Sequence, residues 1–200
     1  MRYAAALSLA LAVGGCSLGG LLGGGSKPPA YLLTLTPEAA DAGPTSRSAA
    51  AGQAITINAP VVPKELQTVR VPAQVSPTQV QYVTDLTMVD TPDRMFENLL
   101  AETIRRTTNR VVLDTGATTL DPGLVVGGQL QHFGYDAQTG QVVVEFDAAI
   151  STKDGTRVQT RRFVAQQPAD GTAATVGPAL NRAANQVATE AAQWIGAISL

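Results

Sequence analysis

The C-terminal end of the chain carries an apolar repeat that any folded structure has to bury. Between residues 176 and 198, apolar side chains recur at alternating intervals of four and three residues: Leu180, Ala184, Val187, Ala191, Trp194 and Ile198. This spacing lines them up along one side of an α-helix, and such a seam requires a packing partner. We expect the helix to pack on a sheet of the same domain. A contact between copies of the chain, giving a homo-oligomer, is the alternative.

A run of strands precedes this helix. Strands are predicted at residues 124–133, 142–150 and 157–164. The sequences "DAQTG" and "KDG" between them are typical of tight turns, so we expect an antiparallel meander. The Gly127-Gly128 pair inside the first strand predicts a β-bulge. Residues 166–175 are polar and predict a loop before the last helix.

The first half of the chain combines short strands with one helix. Strands are predicted at residues 31–35, 54–57, 80–83, 86–88 and 111–113, and an extended, proline-containing element at 58–71. Thr91-Pro92-Asp93 is typical of a helix start, and apolar residues at helical spacing continue the helix to Asn109. This order of elements predicts an α+β domain, with a mixed or mostly antiparallel sheet and two main helices packed on one face.

The only cysteine, Cys16, follows a short apolar run near the N-terminus. A positive residue followed by about ten apolar or small residues is typical of a signal peptide, and the run is too short to span a bilayer. Val13-Gly14-Gly15-Cys16 looks like a bacterial lipobox, in which the thiol receives a diacylglyceryl group and becomes the new N-terminus. The alternative is a plain signal peptide with an incidental cysteine.

These features predict the organisation of the chain. We expect a signal peptide at residues 1–15, a lipidated Cys16 with a flexible glycine-rich tether at 16–30, and one domain at 31–200. Residues 37–53 have no hydrophobic period and predict a disordered insert in that domain. Ser17 favours the periplasmic face of the outer membrane, because an Asp after the lipidated cysteine favours retention in the inner membrane. The periplasmic face of the inner membrane is the alternative location.

The composition argues against several classes of function. The formal net charge is −2 and no basic stripe is present, so we expect no nucleic-acid binding. The one histidine, His132, has no serine-containing elbow or glycine-rich oxyanion loop near it, so it does not suggest catalysis. Asp136 and Asp147 flank a hairpin, and Asp114 and Asp121 flank a loop; turn chemistry explains the first and last members of such sets more simply than acid–base catalysis or cation binding. We therefore expect no enzyme, no metal site and no cofactor.

Several segments together resemble one family, the auxiliary lipoproteins of ABC-type transport systems, which includes the PqiC-like lipoproteins. The resemblance begins with the lipobox and "YLLTLTP", and continues through "ITINAPVVPKELQTVRV" and "MVDTPDRMFENLLAETI". The "LQHFGYD" strand, the strand at 142–150, "RRF" and the alanine-rich last helix also fit. The chain departs from the family at Met88, where members often carry Trp; that position either packs on the first helix or touches a partner.

This resemblance implies a role without catalysis. Such lipoproteins look like outer-membrane-side components of MCE-type systems, which move phospholipids or related molecules between the two membranes. The implied partners are an MCE-domain protein that crosses the periplasm and an ABC permease with its ATPase. The lipid anchor would attach the domain to the membrane, and the tether would set its reach. The alternatives are a stand-alone periplasmic carrier of hydrophobic ligands and a structural envelope lipoprotein.

The segment from Pro60 to Arg70 is the predicted docking site for the partner. An exposed strand at a sheet edge has open N–H and C=O groups that pair with a partner's strand. The residues that we assign to this role are Pro60, Val62, Pro63, Leu66 and Arg70. An ordinary edge without a partner is the alternative.

Overall fold

A computed structural model of the chain describes residues 31–41, 43, 46–50, 52–113, 123–152 and 154–198. Within this part of the chain, the structure contains seven strands and two α-helices. They are β1 (Ile55–Ile57), β2 (Arg70–Ser76), β3 (Gln79–Thr87), α1 (Pro92–Thr107), β4 (Val112–Leu113), β5 (Leu124–Asp136), β6 (Gln141–Thr152), β7 (Val158–Pro168) and α2 (Ala173–Ala197). A short 3₁₀ turn covers Lys64–Leu66. No helix of these residues has both the length and the apolar character needed to cross a membrane.

The seven strands form one mixed sheet, with β5 at its centre. On one side β5 pairs antiparallel with β6 along its length, and β6 pairs antiparallel with β7. On the other side β5 runs parallel to β1 near its start and parallel to β2 near its end. The outer strands are β4, parallel to β1, and β3, antiparallel to β2. The predicted meander and mixed sheet are confirmed.

The core lies between one face of this sheet and the two helices. Strand β6 alternates strictly between buried and half-buried residues, which is the pattern of a strand with one covered face. The ring of Phe96 on α1 lies 5.0 Å from that of Phe146 on β6, and the ring of Phe163 on β7 lies 5.8 Å from that of Trp194 on α2. Both helices therefore pack on one face, as the sequence predicts.

The apolar seam of α2 is buried inside the domain. Leu180, Ala184, Val187 and Ala191 are fully buried, and Trp194 packs partly buried against the core. The small alanine side chains allow α2 to approach both the sheet and α1 closely. The predicted packing of this helix on its own sheet is confirmed, so the seam is not available for a contact between copies.

Helix α1 begins and ends almost where its sequence indicates. Thr91 has extended backbone angles, Pro92 is the first helical residue, and the helix ends at Thr107, two residues before the predicted end. The Thr107 and Thr108 hydroxyl groups donate to the carbonyl groups of Thr103 and Ile104, at 2.7 and 2.9 Å. These bonds give carbonyl groups in the last turns of the helix a second donor, since the Ile104 oxygen also accepts from the Thr108 N–H at 3.0 Å.

The predicted strand at residues 31–35 is wrong. Only Leu33 makes ladder-type contacts, in an isolated bridge beside Met88. Further along, the backbone N–H groups of Thr36 and Glu38 donate to the side chains of Asn181 and Asn185 on α2, at 2.8 and 2.7 Å. The residues that follow Leu33 are thus held by asparagine side chains of a helix rather than by a neighbouring strand.

The predicted bulge at Gly127-Gly128 is also wrong. Both glycines pair in register with β6, and the extra residue of β5 is Gln131, between Leu130 and His132. Gly128 is required for another reason: its φ is +141°, and a Cβ atom there would lie 2.0 Å from the backbone oxygen of Asp147. The close approach of two backbones, rather than a bulge, explains this glycine.

Two other segments differ from their predictions. Residues 166–168 belong to β7, because they pair with the first residues of β6, so the loop before α2 is shorter than predicted. Residues 58–69 are not a strand but a connection with one 3₁₀ turn. The described residues between 37 and 53 form no helix or strand, and positions 42, 44, 45 and 51 lie outside the described part.

Candidate functional site

The face of the sheet opposite the helices is the candidate functional surface. The side chains that β5, β6 and β7 direct away from the core include His132, Glu145, Asp147, Arg162 and Val164. Neither helix covers them, because the alternation of each strand sends neighbouring residues to opposite faces. This surface, which we call the helix-free face, has a charged part and an apolar part.

The charged part is a network across three strands. Arg162 on β7 donates to Asp147 through Nε at 2.6 Å and Nη2 at 2.7 Å, and its Nη1 lies 2.9 Å from Oε1 of Glu145. Gln131 donates to Asp147 at 3.1 Å, and Nδ1 of His132 lies 3.4 Å from Oε2 of Glu145. The hydrogen bonds from Arg162 lower the pKa of Asp147 below its ordinary value, and those to Asp147 raise the pKa of Arg162. Asp147 is therefore ionised at neutral pH.

The apolar part is a groove of about 250 Å³ next to this network. Its walls come from the 3₁₀ turn, the β2–β3 hairpin, the last halves of β5 and β7 and the first half of β6. Val80 and Val164, which are 40% and 42% exposed, lie on opposite sides of it, and Pro72 and Val143 line it as well. Gly134 brings β5 close to β2 here, since a Cβ atom would lie 2.4 Å from the Pro72 oxygen. The groove thus presents aliphatic side chains with carboxylates at its rim.

The structure does not bring the five predicted docking residues together as an edge strand. Pro60 and Leu66 are buried, Val62 and Pro63 are half-buried, and Arg70 is exposed. Leu66 lines the groove, while Arg70 begins β2 and places its guanidinium carbon 4.2 Å from the centre of the Tyr82 ring. This contact has the geometry of a cation–π interaction.

The backbone of this segment is already paired. The Val61 N–H donates to the Gly128 oxygen, and the Val61 oxygen accepts from the Leu130 N–H, both at 2.9 Å. A partner strand would have to break these bonds to add at this place. The segment therefore offers its side chains, rather than an open backbone edge, to a partner.

Other predicted residues have plain structural environments or lie outside the described part. Cys16, Asp114 and Asp121 are outside the described residues. Asp136 accepts a hydrogen bond from the Gln138 N–H at 2.8 Å, which is turn chemistry as expected. In the part of the chain that the structure describes, no group of three or more His, Cys, Asp or Glu side chains is placed to hold a metal ion.

Met88 is the position at which the chain departs from the resembled family, and its environment distinguishes core packing from an exposed contact site. Its side chain is buried, with 1% of its surface exposed, and belongs to the hydrophobic core. A flexible thioether fills irregular space in a core. Met88 therefore packs inside the domain of this chain.

The sequence of the chain matches one protein family over most of its length. The model of the "ABC-type transport auxiliary lipoprotein component" family matches residues 31–192, which include all seven strands described above, α1 and most of α2. The chain belongs to this family. As a transport auxiliary lipoprotein component, it is associated by family with an ABC transport system and with a membrane-associated periplasmic location. The family is not a known enzyme family.

Solved structures support the fold of this auxiliary lipoprotein. The crystal structure of protein XCC0632 from Xanthomonas campestris, described as DUF330, matches with a TM-score of 0.67 at 16% identity, covering 83% of this chain and 94% of that chain. An uncharacterized protein matches with a TM-score of 0.61, also at 16% identity, covering 82% and 96%. At these identities the likeness shows the fold alone. No curated protein matches the chain.

Proposed function

We propose that this auxiliary lipoprotein docks the conduit of an MCE/ABC-type lipid transport system to the outer membrane. Cys16 carries the lipid anchor, residues 17–30 form the tether, and the domain from residue 31 binds the MCE-domain protein. The permease and ATPase of the same system supply the energy. The observation that carries this proposal is the family match across residues 31–192, downstream of a lipobox-like sequence.

The groove on the helix-free face, together with Arg70, is the docking surface that we assign. The groove supplies exposed aliphatic side chains beside fixed charges, which is the composition of a specific protein interface. Leu66 contributes to its wall, and Pro60, Val62 and Pro63 hold the connection that positions Leu66. Docking in this form uses side chains and leaves the bonds between Val61 and β5 intact.

The first test is an affinity purification of the tagged full-length protein from mildly solubilised envelopes. We expect an MCE-domain protein, its permease and its ATPase to be recovered. A Cys16→Ala variant should recover less of them, because loss of the anchor lowers the effective concentration at the membrane. Recovery of lipid without any transporter component would reject docking and favour the stand-alone carrier. Recovery of neither would favour the structural envelope lipoprotein.

The second test asks whether the groove is the docking surface. Val164→Glu places a charge in the groove and should strongly reduce recovery of the MCE-domain protein. Val158→Glu is the matched control, because it lies on the same strand and face, is 60% exposed and does not line the groove. Arg70→Glu reverses the charge at the C-terminal end of the segment from Pro60 to Arg70 and should also reduce recovery of the MCE-domain protein. Equal recovery with all three variants, each with the wild-type circular dichroism melting curve, would reject this surface.

A further inference from the structure

A second cavity, distant in the fold from the helix-free face, lies where α1 and α2 end. It has a volume of about 960 Å³, and residues 46–50, the segment after α1 and the last turns of α2 form its walls. This volume is at the upper end of the range of small-molecule sites. Neither the predicted docking segment nor the charged network contributes to it.

The charge of this cavity is positive. Arg47, Arg106 and Arg110 line it, and no carboxylate does so among the described residues. The chain as a whole has a formal net charge of −2, so the grouping of three arginines is a local feature rather than a general one. A concave wall with one sign of charge concentrates the field and attracts ions of the other sign. The cavity is therefore suited to an anion.

A smaller adjoining cavity of about 380 Å³ shares the same three arginines. It adds Arg105, together with the carboxylates of Glu102 and Asp41. Glu102 forms salt bridges with Arg106, at 2.7 Å, and with Arg105, at 3.7 Å. The negative charge thus lies on the far side of Arg106, and the larger cavity keeps its positive character.

Two of the arginines are held in place by the fold. Arg106 donates through Nε to Glu102 and through Nη1 to the Ala39 oxygen at 2.9 Å. Arg110 donates to the Ile198 oxygen and, at 3.5 Å, to the Gln53 side chain. Fixing a guanidinium in this way reduces the entropy that it loses when it binds a ligand.

The third arginine, Arg47, is available for a ligand. It makes no hydrogen bond or ion pair with the residues that the structure describes, although it is only half-exposed. Both helices end at this cavity, and the partial negative charge of a helix C-terminus, about half an elementary charge, is smaller than the full charges of the three guanidinium groups. A planar guanidinium with five donors matches the oxygens of a phosphate group.

We infer that this cavity binds a phosphate group, of the kind that a phospholipid headgroup presents. The anion site rests on the cavity and its arginines alone, whereas the choice of a lipid as the source of the phosphate rests on the proposed function. Arg47 closes on the phosphate, and Arg106 and Arg110 form the fixed wall behind it. The volume leaves room for the glycerol part of a headgroup beside the phosphate.

The test is isothermal titration of the mature lipidated protein in a maltoside detergent, which contributes no phosphate. The two probes are inorganic phosphate and glycerophosphoglycerol, the water-soluble headgroup of phosphatidylglycerol. We expect both to bind, with affinities that fall as salt is raised. Arg47→Gln should weaken binding of each by about tenfold, as the loss of a charge-assisted contact does. Arg47→Lys keeps the charge but loses the planar set of guanidinium donors. Its affinity should lie between those of the wild type and Arg47→Gln.

Arg157→Gln is the matched control, because it removes the same charge from an exposed site outside both cavities. Unchanged binding in Arg47→Gln, or an equal loss in Arg157→Gln, would overturn the site. Binding of inorganic phosphate without glycerophosphoglycerol would overturn the lipid source. Because no transporter is present in this measurement, its result is independent of whether the purification recovers an MCE system.

Discussion

Arg162 donates hydrogen bonds to both carboxylate oxygens of Asp147, with Nε 2.6 Å from Oδ1 and Nη2 2.7 Å from Oδ2. The pair joins β7 to β6 on the face that the helices leave open, directly opposite each other in the antiparallel register. A two-bond contact of this kind fixes the direction of the guanidinium as well as its position. The pair therefore fixes the charged side chains at the rim of the groove before a partner binds.

Replacing Arg162 with Met should raise the pKa of Asp147 toward its ordinary value of 3.8, since the hydrogen bonds from Arg162 are the main cause of its lowering. The Arg162 side chain is 59% exposed, so solvent screens the pair and the free energy of unfolding at neutral pH should change only slightly. Carboxyl NMR titration and urea unfolding measure the two quantities. An unchanged pKa would contradict the role of this pair, and Arg157→Met is the control.

Asp170 should titrate at a pKa of about 2, because the Thr175 and Thr172 hydroxyl groups and the Thr172 N–H donate to its carboxylate. Since its pKa is lowered on folding, the stabilisation is present above pH 3.8 and is lost as the pH falls through about 2. Thr175→Val should raise the pKa toward 3.8, measured by NMR titration of the carboxyl carbon. Thr160→Val is the control, and a pKa that stays near 2 in Thr175→Val would show that the hydroxyl is not responsible.

Asn185 should hold the segment after the tether against α2. Its side chain is buried, accepts from the Glu38 N–H and donates to the oxygens of Thr36 and Asn181, both at 2.9 Å. Asn185→Ala leaves the Glu38 N–H and the Thr36 oxygen without these partners, which should cost about 1–3 kcal/mol. We expect hydrogen exchange of the Glu38 amide to accelerate about tenfold while β6 amides change less. Gln186→Ala, on the exposed side of the same helix, should not change the exchange rate of the Glu38 amide. An equal acceleration of this amide in Gln186→Ala would refute the role of the Asn185 contact.

The two neighbouring glycines of β5 should respond to alanine substitution to very different extents. Gly128→Ala meets the Asp147 backbone and requires an unfavourable φ, so we expect destabilisation by more than about 2 kcal/mol. At Gly127 the added Cβ meets only the Asn58 Cβ, at 3.9 Å, and the change should be within about 1 kcal/mol. Thermal melting of the two variants tests this difference. Equal effects would mean that the close approach of β5 to β6 is not what requires Gly128.

The elements with a clear period were predictable from the sequence. The seam of α2 and the alternation of β6 follow from spacings of 3.6 and 2 residues, which depend on neighbours along the chain. The start of α1 follows from a proline and its flanking residues, for the same local reason. The strand predicted at 31–35 failed because only Leu33 finds a backbone partner, beside Met88, and the chain then turns to asparagine side chains on a helix 145 or more residues away.

The sites were less predictable than the fold. Leu66 and Arg70 were predicted to lie on an open strand edge, whereas the tertiary structure pairs the backbone of Val61 with β5 and directs Leu66 into a groove. No local pattern links Arg47 with Arg106 and Arg110, which the fold brings to one cavity. A cluster of this kind is visible in a sequence only when its members share one helix or strand.

The sequence by itself determined both helices and the meander of β5, β6 and β7, the apolar side of α2, and which family the chain resembles. Only the tertiary structure decided that β5 lies at the centre, that one sheet face stays uncovered, and that three arginines meet where the helices end. The physical reason is that periodicity and capping are local interactions along the chain. The choice of neighbouring strand and the convergence of distant side chains depend instead on the free energy of packing the whole core.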